Sequence, residues 1–336
     1  MSASYQSGVS SSPGDLLQTL VTWLAGQGWT VDSSTTDGTG RRAHLHKGAL
    51  YVNMRSAGNE KIWPNASGGN WDTDAGYGIG LYLGTGYSGS SGWHAQAGRP
   101  LRIDGSTSGC GANLPSGPVS AYHFFDDDSD NITVVVERTP GLYCHLGWGP
   151  ALAGAGNPES FWYFYGSSTA FRNVQDSTPP SDQPGQTVTA FPPMSTGSKE
   201  GGSVECCAFA RTDVATWASR WMGNCNNSSS TQGATGRLLG CACNINPDAQ
   251  GASPSGQLPG YRWLLDRVHQ TAFTGALLLP LHLFAENAGS RWAPIGYPPT
   301  VFWCEGVGHG YSAAEIYSVG GLDYMLFPHF AVRKAA

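Results

Sequence analysis

The acidic segment between residues 126 and 137 has the spacing of a calcium-binding loop. Asp126, Asp128, Asp130 and Glu137 occupy the first, third, fifth and twelfth positions, which supply oxygen ligands to the cation in such loops. The sixth position, however, is Asn131 rather than glycine, and Glu137 closes a β-branched run that is typical of a strand. The segment is therefore predicted to be an exposed acidic hairpin tip, in which Asp and Asn favour the turn, rather than a calcium site.

Cysteine and histidine clusters could supply ligands to a transition metal. Structural zinc sites normally present ligand pairs separated by two to four residues, and the cysteine pairs here are spaced more closely. Three interpretations of these cysteines stay open: a zinc site, a disulfide and free thiols. Free buried thiols are favoured, because the reducing cytosol keeps cysteines unpaired. His44 and His46 face the same side of a predicted strand, but no nearby carboxylate completes a site. We therefore predict no metal and no cofactor. The cysteines concerned are Cys206, Cys207, Cys225, Cys241 and Cys243.

The sequence contains no recognisable catalytic motif. It has no Gly-x-Ser-x-Gly elbow, no phosphate-binding Walker loop, no His-Glu-x-x-His and no complete dinucleotide fingerprint. Paired carboxylates for glycoside cleavage cannot be recognised by spacing alone. The prediction is a protein that is not an enzyme, with a hydrolase as the least favoured hypothesis.

Aromatic residues in loops suggest a second kind of chemistry, the stacking of sugar rings. Trp63, Trp71 and Trp93 lie in segments suited to carbohydrate binding. The favoured interpretation is that the 12 Trp, 14 Tyr and 12 Phe fill a core or a subunit interface, because each buries a large apolar area.

The composition restricts the architecture and the partners. With 47 Gly, 21 Pro and only 12% charged residues, the chain is expected to form short strands and many turns rather than long helices. The formal charge of −6, without a basic cluster, argues against direct nucleic-acid binding. No apolar run reaches the length of a membrane span, and the N-terminus lacks the pattern of a signal peptide, so folding in the cytoplasm is expected.

The predicted elements are one helix and a succession of antiparallel strands. Ser12-Pro13 begins a helix that carries leucines at helical spacing and ends near Gly26. The region 122–165 predicts a meander of four strands, and residues 317–333 predict a terminal hairpin about a Gly-Gly turn. A short helix is predicted after Thr212, with Trp221 on its apolar side.

The predicted fold is mainly β with a minor α contribution, in antiparallel sandwich-like or barrel-like units with an N-terminal helix. The length favours two domains. Residues 1–175 would form the helix and an antiparallel β domain, residues 176–203 a linker or long loop rich in Ser, Thr, Pro and Gly, and residues 204–336 a second β-rich domain.

Four stretches resemble a family of large virion structural proteins of tailed bacteriophages. They are residues 45–55 (LHKGALYVNMR), residues 78–98 ending in WHAQAG, residues 122–149 (YHFFDDDSDNITVVVERTPGLYCHLGWG) and residues 310–333. The resemblance implies a component of the tail, neck or baseplate whose copies form a homo-oligomeric ring. This ring would contact other virion proteins, assemble in the host cytoplasm and reside in the virion. The alternative is a carbohydrate-binding or host-adhesion module of the particle.

A ring protein needs contact residues, and glycine-rich aromatic segments suit close subunit approach. We predict contacts in the segment from Gly76 to Trp93, at the acidic tip and in the loop 223–236. The interface candidates are Tyr77, Tyr82, Tyr87, Trp93, Asp126, Asp128, Asp130, Asn226 and Asn227.

Overall fold

A computed structural model gives the fold of much of the chain. It describes residues 4–60, 76–100, 107, 109–115, 117–127, 129–150, 152–153, 162–169, 207–211, 221–223, 238–240, 278–280, 283–287, 291–304, 306–308, 310–328 and 330–334. Within these residues the protein is mainly β, with antiparallel sheets and a single α-helix near the N-terminus, as predicted. No helix in these ranges is long and apolar enough to cross a membrane.

Helix α1 (Pro13–Gly26) begins where the sequence predicts it. Ser12 caps the helix by accepting a hydrogen bond from Asp15 N (3.1 Å), and the Asp15 carboxylate accepts one from Ser11 N (2.9 Å). Four leucines spaced along one face are fully buried, so packing of this face adds to the stability that the cap provides. They are Leu16, Leu17, Leu20 and Leu24.

The remaining described elements are short strands and one turn of 3-10 helix. The first strands are β1 (Ser4–Ser10), β2 (Thr30–Asp37), β3 (Gly40–Lys47), β4 (Leu50–Glu60), β5 (Gly76–Gly84), the 3-10 turn (Trp93–Ala95), β6 (Cys110–Asn113), β7 (Val119–Asp126), β8 (Ile132–Thr139), β9 (Leu142–Pro150) and β10 (Leu152–Ala153). They are followed by β11 (Trp162–Gly166), β12 (Ser168–Thr169), β13 (Cys207–Arg211), β14 (Trp221–Gly223), β15 (Leu238–Gly240), β16 (Leu278–Pro280), β17 (Leu283–Asn287), β18 (Arg291–Tyr297), β19 (Val301–Cys304), β20 (Ile316–Val319), β21 (Leu322–Phe327) and β22 (Phe330–Lys334).

These strands form four antiparallel sheets. The central sheet has the order β1-β7-β8-β9-β11-β13-β14, and the helix-side sheet has the order β12-β6-β5-β4-β3-β2. The C-terminal sheet is β16-β19-β22-β21-β20, and a small sheet is β10-β18-β17-β15. The predicted meander is confirmed, because β7, β8, β9 and β11 are consecutive neighbours in the central sheet.

The central sheet lies between two layers. On one face, the Trp23 ring of α1 packs against Phe124 of β7 (5.4 Å between ring centroids), and α1 also packs on β3 and β4 of the helix-side sheet. On the other face, Phe327 of the C-terminal sheet packs against His123 and Tyr143 (5.6 and 5.2 Å). A strand covered on both faces is apolar throughout rather than alternating, which explains the buried run 134–136 of three valines in β8.

The chain end differs from the prediction in one respect. The Gly320-Gly321 turn joins β20 to β21, and both glycines have positive φ (62° and 77°), as the predicted hairpin requires. The expected second strand, however, is divided into β21 and β22, which pair about a tight turn containing Pro328. Proline has no N–H to donate to a ladder, so the strand cannot continue through it.

The later part of the chain contributes to the same sheets as the earlier part. Strands β13 and β14 extend the central sheet, and β18 pairs with β10. Trp221, which the sequence pattern placed on a helix, lies in β14; that prediction is wrong at this residue, because pairing with Arg211 overrides the local spacing. The predicted linker 176–203 lies outside the described residues, and the division into two domains stays a prediction.

Candidate functional site

The loop at residues 85–99, here called the cover loop, lies on the helix-side sheet. Its ends meet through a hydrogen bond from Thr85 N to Ala97 O (2.8 Å). Tyr82 of β5 is fully buried beneath it, donates its hydroxyl proton to the Trp93 carbonyl oxygen and packs on the Trp93 ring (5.7 Å). Burial raises the pKa of Tyr82. Tyr82 and Trp93 are therefore covered by their own chain, and their interface role stays a prediction.

Gln96 holds the cover loop together. Its side chain is fully buried, and its Oε1 accepts a hydrogen bond from Ser88 N (2.7 Å). Its Nε2 lies within hydrogen-bond distance of three carbonyl oxygens, those of Ser88 (3.2 Å), Ser91 (3.1 Å) and Gly92 (3.1 Å). One amide thus adds to the few backbone hydrogen bonds within the loop. Sequence reasoning missed Gln96, because a loop glutamine carries no motif.

A row of polar side chains crosses the sheet under this loop. His44 of β3 pairs with Asn53 of β4, which in turn pairs with Tyr82, so the three side chains share one face. His44 Nδ1 lies 2.6 Å from Asn53 Oδ1, an atom that can only accept, so Nδ1 carries the proton. Burial lowers the pKa of His44, and the half-buried Tyr87 packs on its ring (4.9 Å). His44 is therefore a neutral packing residue.

His46 has a different partner from His44. Its Nδ1 lies 2.9 Å from Asp32 Oδ2, and its ring stacks on Tyr51 (4.9 Å). Across the described ranges, no group of three or more His, Cys, Asp or Glu side chains is placed to hold a metal ion. His46 and Asp32 thus form a hydrogen-bonded pair beside the buried His44.

The acidic tip between β7 and β8 is only partly exposed, which corrects the prediction of an exposed tip. Asp126 and Asp127 are 5% and 4% exposed. Asp127 Oδ1 accepts from Ser129 N (2.9 Å) and Asn131 N (3.0 Å), and burial raises the pKa of its carboxyl group. The Asp residues do favour the turn, as predicted, but the turn is packed into the protein through Asn131, whose Oδ1 accepts from the Tyr163 hydroxyl (2.8 Å).

Asp130 ties this tip to the helix-side sheet. Its carboxylate forms an ion pair with Lys47 Nζ, which also donates to the Gln27 carbonyl oxygen (3.1 Å). Beside this pair, Trp29 packs edge-on against Trp148 (6.1 Å). The tip is thus a contact between layers of one chain, a role that local sequence could not reveal because its partners are distant along the chain.

The other predicted residues are placed as follows. Tyr77 is half-buried in β5, where its carbonyl oxygen accepts from Leu114 N (2.9 Å). Asp128, Asn226 and Asn227 lie outside the described residues, as do the cysteines singled out above, apart from Cys207 in β13. The interface role of all these residues stays a prediction. The cysteines with described side chains, Cys110, Cys144 and Cys304, are buried.

Apolar side chains that sequence reasoning did not single out are exposed at the sheet ends. Among the described residues, every large hydrophobic side chain that is exposed lies on or next to a strand at the end of its sheet. Three of them lie on the hairpin of β20 and β21. They are Ile316, Val319 and Leu322, which are 37%, 44% and 43% exposed. The others are Val9 in β1 and Val31 in β2, which are 73% and 37% exposed.

Comparison of the sequence with known protein families and with curated proteins found no match. The exposed apolar sheet ends at Val9, Val31 and the β20–β21 hairpin are here called the apolar edges.

Proposed function

We propose that the protein is a structural subunit of a tailed-bacteriophage virion, in the tail, neck or baseplate, and that its copies form a ring. The class of particle is proposed from the resemblance of residues 45–55, 122–149 and 310–333 to virion structural proteins. The mode of assembly is proposed from one observation, the apolar edges at Val9, Val31 and the β20–β21 turn.

The edge strand β20 has an unprotected apolar edge of the kind that a second strand can cover. Among the described strands, β20 pairs with β21 only, so its other side presents backbone N–H and C=O groups. Monomeric proteins usually protect such an edge with charges, proline or a bulge. Here Ile316 and Val319 are exposed instead, and Leu322 extends the apolar surface past the turn. A strand from a second copy would pair the backbone and bury these side chains.

The presence of several different sheet edges on one chain favours a ring over a two-fold dimer. Val9 lies at the end of the central sheet, Val31 at the end of the helix-side sheet, and Val319 at the end of the C-terminal sheet. When the β20 edge of one copy meets a different edge of the next, the contact is heterologous, and every copy can offer both halves of it. Such contacts close into a ring when the rotation between copies permits.

The virion assignment is tested on purified phage particles. Mass spectrometry of particles separated on a density gradient should find the protein at a fixed copy number, stoichiometric with other tail proteins. Its absence from infectious particles would contradict the assignment, whatever the isolated chain does.

The assembly mode is tested in the particle by charging the apolar edge. The double variant Val319→Lys, Leu322→Lys should fold normally, because exposed substitutions change stability by only about 0.5 kcal/mol. It should nevertheless lower the yield of infectious particles at least tenfold, since lysines at a strand edge oppose pairing. Thr139→Lys, at the exposed end of β8, is the matched control and should give normal yields. Normal yields from the double variant would exclude this edge as the contact.

A further inference from the structure

A groove lies between strand β1 and helix α1, away from the cover loop and the β20 edge. Its volume is about 360 Å³, within the range of small-molecule sites, and it opens to solvent. Gln6 forms one wall, and Gln18, Thr22 and the edge of the buried Trp23 on the helix form the other. Gln27 closes the end at the helix C-terminus.

The polar lining of this groove is uncharged. Its side chains are three amides and two hydroxyls, the second hydroxyl being that of Thr19, and no ionisable side chain lines it. Lys47 comes close only outside the lining, where its Nζ donates to the Gln27 carbonyl oxygen (3.1 Å). A lining of this kind offers donors and acceptors side by side, but no counter-charge for an anion or a cation.

Part of this hydrogen-bonding capacity is unused. Gln18 Nε2 donates to Thr22 Oγ1 (3.1 Å) and Gln6 Nε2 donates to the Tyr122 hydroxyl (3.2 Å), which leaves both Oε1 atoms as acceptors. Within the described ranges, the side-chain amide of Gln27 has no hydrogen-bond partner. The groove therefore presents acceptor atoms on two walls, and at its end an amide whose donor and acceptor are both available.

We propose that this groove binds a neutral polyhydroxylated ligand, one or two sugar units of an uncharged glycan. Vicinal hydroxyls both donate and accept, which matches the amide and hydroxyl lining. Trp23 packs on Phe124 and is 7% exposed, so it provides a narrow apolar strip for sugar C–H groups. A peptide fits less well, because this strip is too narrow for apolar side chains. Because the groove buries few contacts with such a ligand, we expect a dissociation constant in the millimolar range.

The test uses the full chain and ligand-observed NMR with maltose, cellobiose and chitobiose as neutral probes. Glucuronic acid and a short polyalanine peptide serve as the anionic and peptide probes. At least one neutral disaccharide should show saturation transfer from the protein, while the acid and the peptide should show none.

Variants then locate the site. Gln18→Ala with Thr22→Ala should weaken binding about tenfold, which corresponds to the loss of two hydrogen bonds. Alanine is the best helix former, so the helix should be retained. Gln6→Ala tests the opposite wall. Thr36→Ala, an exposed threonine of β2 outside the groove, is the matched control and should bind like the natural protein.

Three results would overturn the proposal. They are the absence of saturation transfer for every neutral probe, equal binding by the double variant, and preferential binding of the peptide or the acid. Because the proposal does not depend on assembly, each result leaves the role proposed for the apolar edges unaffected.

Discussion

The backbones of Gly111 in β6 and Gly166 in β11 are in contact. A Cβ atom built on Gly166 would lie 2.7 Å from Gly111 N and 2.9 Å from Gly111 C, closer than real Cβ contacts come. At this point the chain leaves the central sheet and enters the helix-side sheet, where Ser168 pairs with Gly111. Glycine at position 166 is what allows the two sheets to meet directly here, because it has no Cβ to clash with the backbone of Gly111.

Gly166→Ala should therefore be severely destabilising. The added methyl group meets backbone, which cannot move aside, so we expect a loss of about 3 kcal/mol in the free energy of unfolding. Denaturant titration measures it. The control is Gly26→Ala, whose Cβ meets nothing within 4 Å and which should raise stability by about 0.5–1 kcal/mol. If Gly166→Ala is as stable as the natural protein, the sheets do not meet as described.

Gln96→Ala should open the cover loop without unfolding the sheets. Truncation leaves the Ser88 N–H and the carbonyl groups around it without the buried amide, at a cost of about 2 kcal/mol. Hydrogen exchange should show faster exchange at Ser88, and Trp93 fluorescence should shift towards that of an exposed indole. Ser90→Ala removes an exposed hydroxyl of the same loop and should change neither signal. Unchanged exchange at Ser88 in Gln96→Ala would show that the amide is not the anchor.

Stability should fall in acid because of buried histidines. Burial lowers the pKa of His145 from 6.5 to about 3, and burial also lowers the pKa values of His44 and His123. Below pH 6.5 the unfolded chain binds protons that the folded chain rejects. The contribution of these histidines to stability should thus be complete above pH 6.5 and decline below it, with His145 contributing about 1 kcal/mol per pH unit down to its folded pKa.

His145→Phe tests that contribution. Phenylalanine keeps an aromatic ring against Tyr165 and Phe330, which lie 5.8 and 5.1 Å from the histidine ring. It cannot titrate, so the acid decline measured by denaturant titration at several pH values should become shallower. Above pH 6.5 the two curves should run parallel. Equal slopes in acid would mean that His145 is accessible to protons in the folded state.

Asp130→Asn should distinguish the stability that the Asp130–Lys47 ion pair contributes from the stability that depends on the backbone conformation of the turn. Asp130 has a φ of 68°, which asparagine tolerates, so only the pairing with Lys47 is lost. We expect a loss of about 0.5 kcal/mol that shrinks in high salt, because the carboxylate is partly exposed and the pairing is screened. Asp130→Ala should cost about 1 kcal/mol more, independently of salt, through the left-handed backbone. Salt-independent losses of equal size in both variants would contradict this division.

Local sequence predicted the elements whose determinants are local. The cap at Ser12 and the leucine spacing define α1, and the turns between short apolar runs define the meander of β7, β8, β9 and β11. The Gly320-Gly321 turn was predicted because only glycine adopts positive φ at both positions without cost. These features require no knowledge of distant residues.

The site features that sequence reasoning missed depend on contacts between distant segments or on exposure. The acidic tip was expected in solvent, but Asp130 meets Lys47 from another sheet. Gln96 functions through the carbonyl groups of a folded loop, and no spacing marks such a residue. Val319 and Leu322 have the residue types of a buried strand, so their exposure became apparent only once the edge position of β20 was known.

The most direct test of self-assembly through the apolar edges is sedimentation velocity of the purified full chain. The natural protein and Thr139→Lys should sediment as a closed oligomer of defined size, and Val319→Lys with Leu322→Lys should sediment as a monomer with unchanged circular dichroism. A natural protein that stays monomeric at every concentration, or a double variant that assembles as well as the control, would contradict the account.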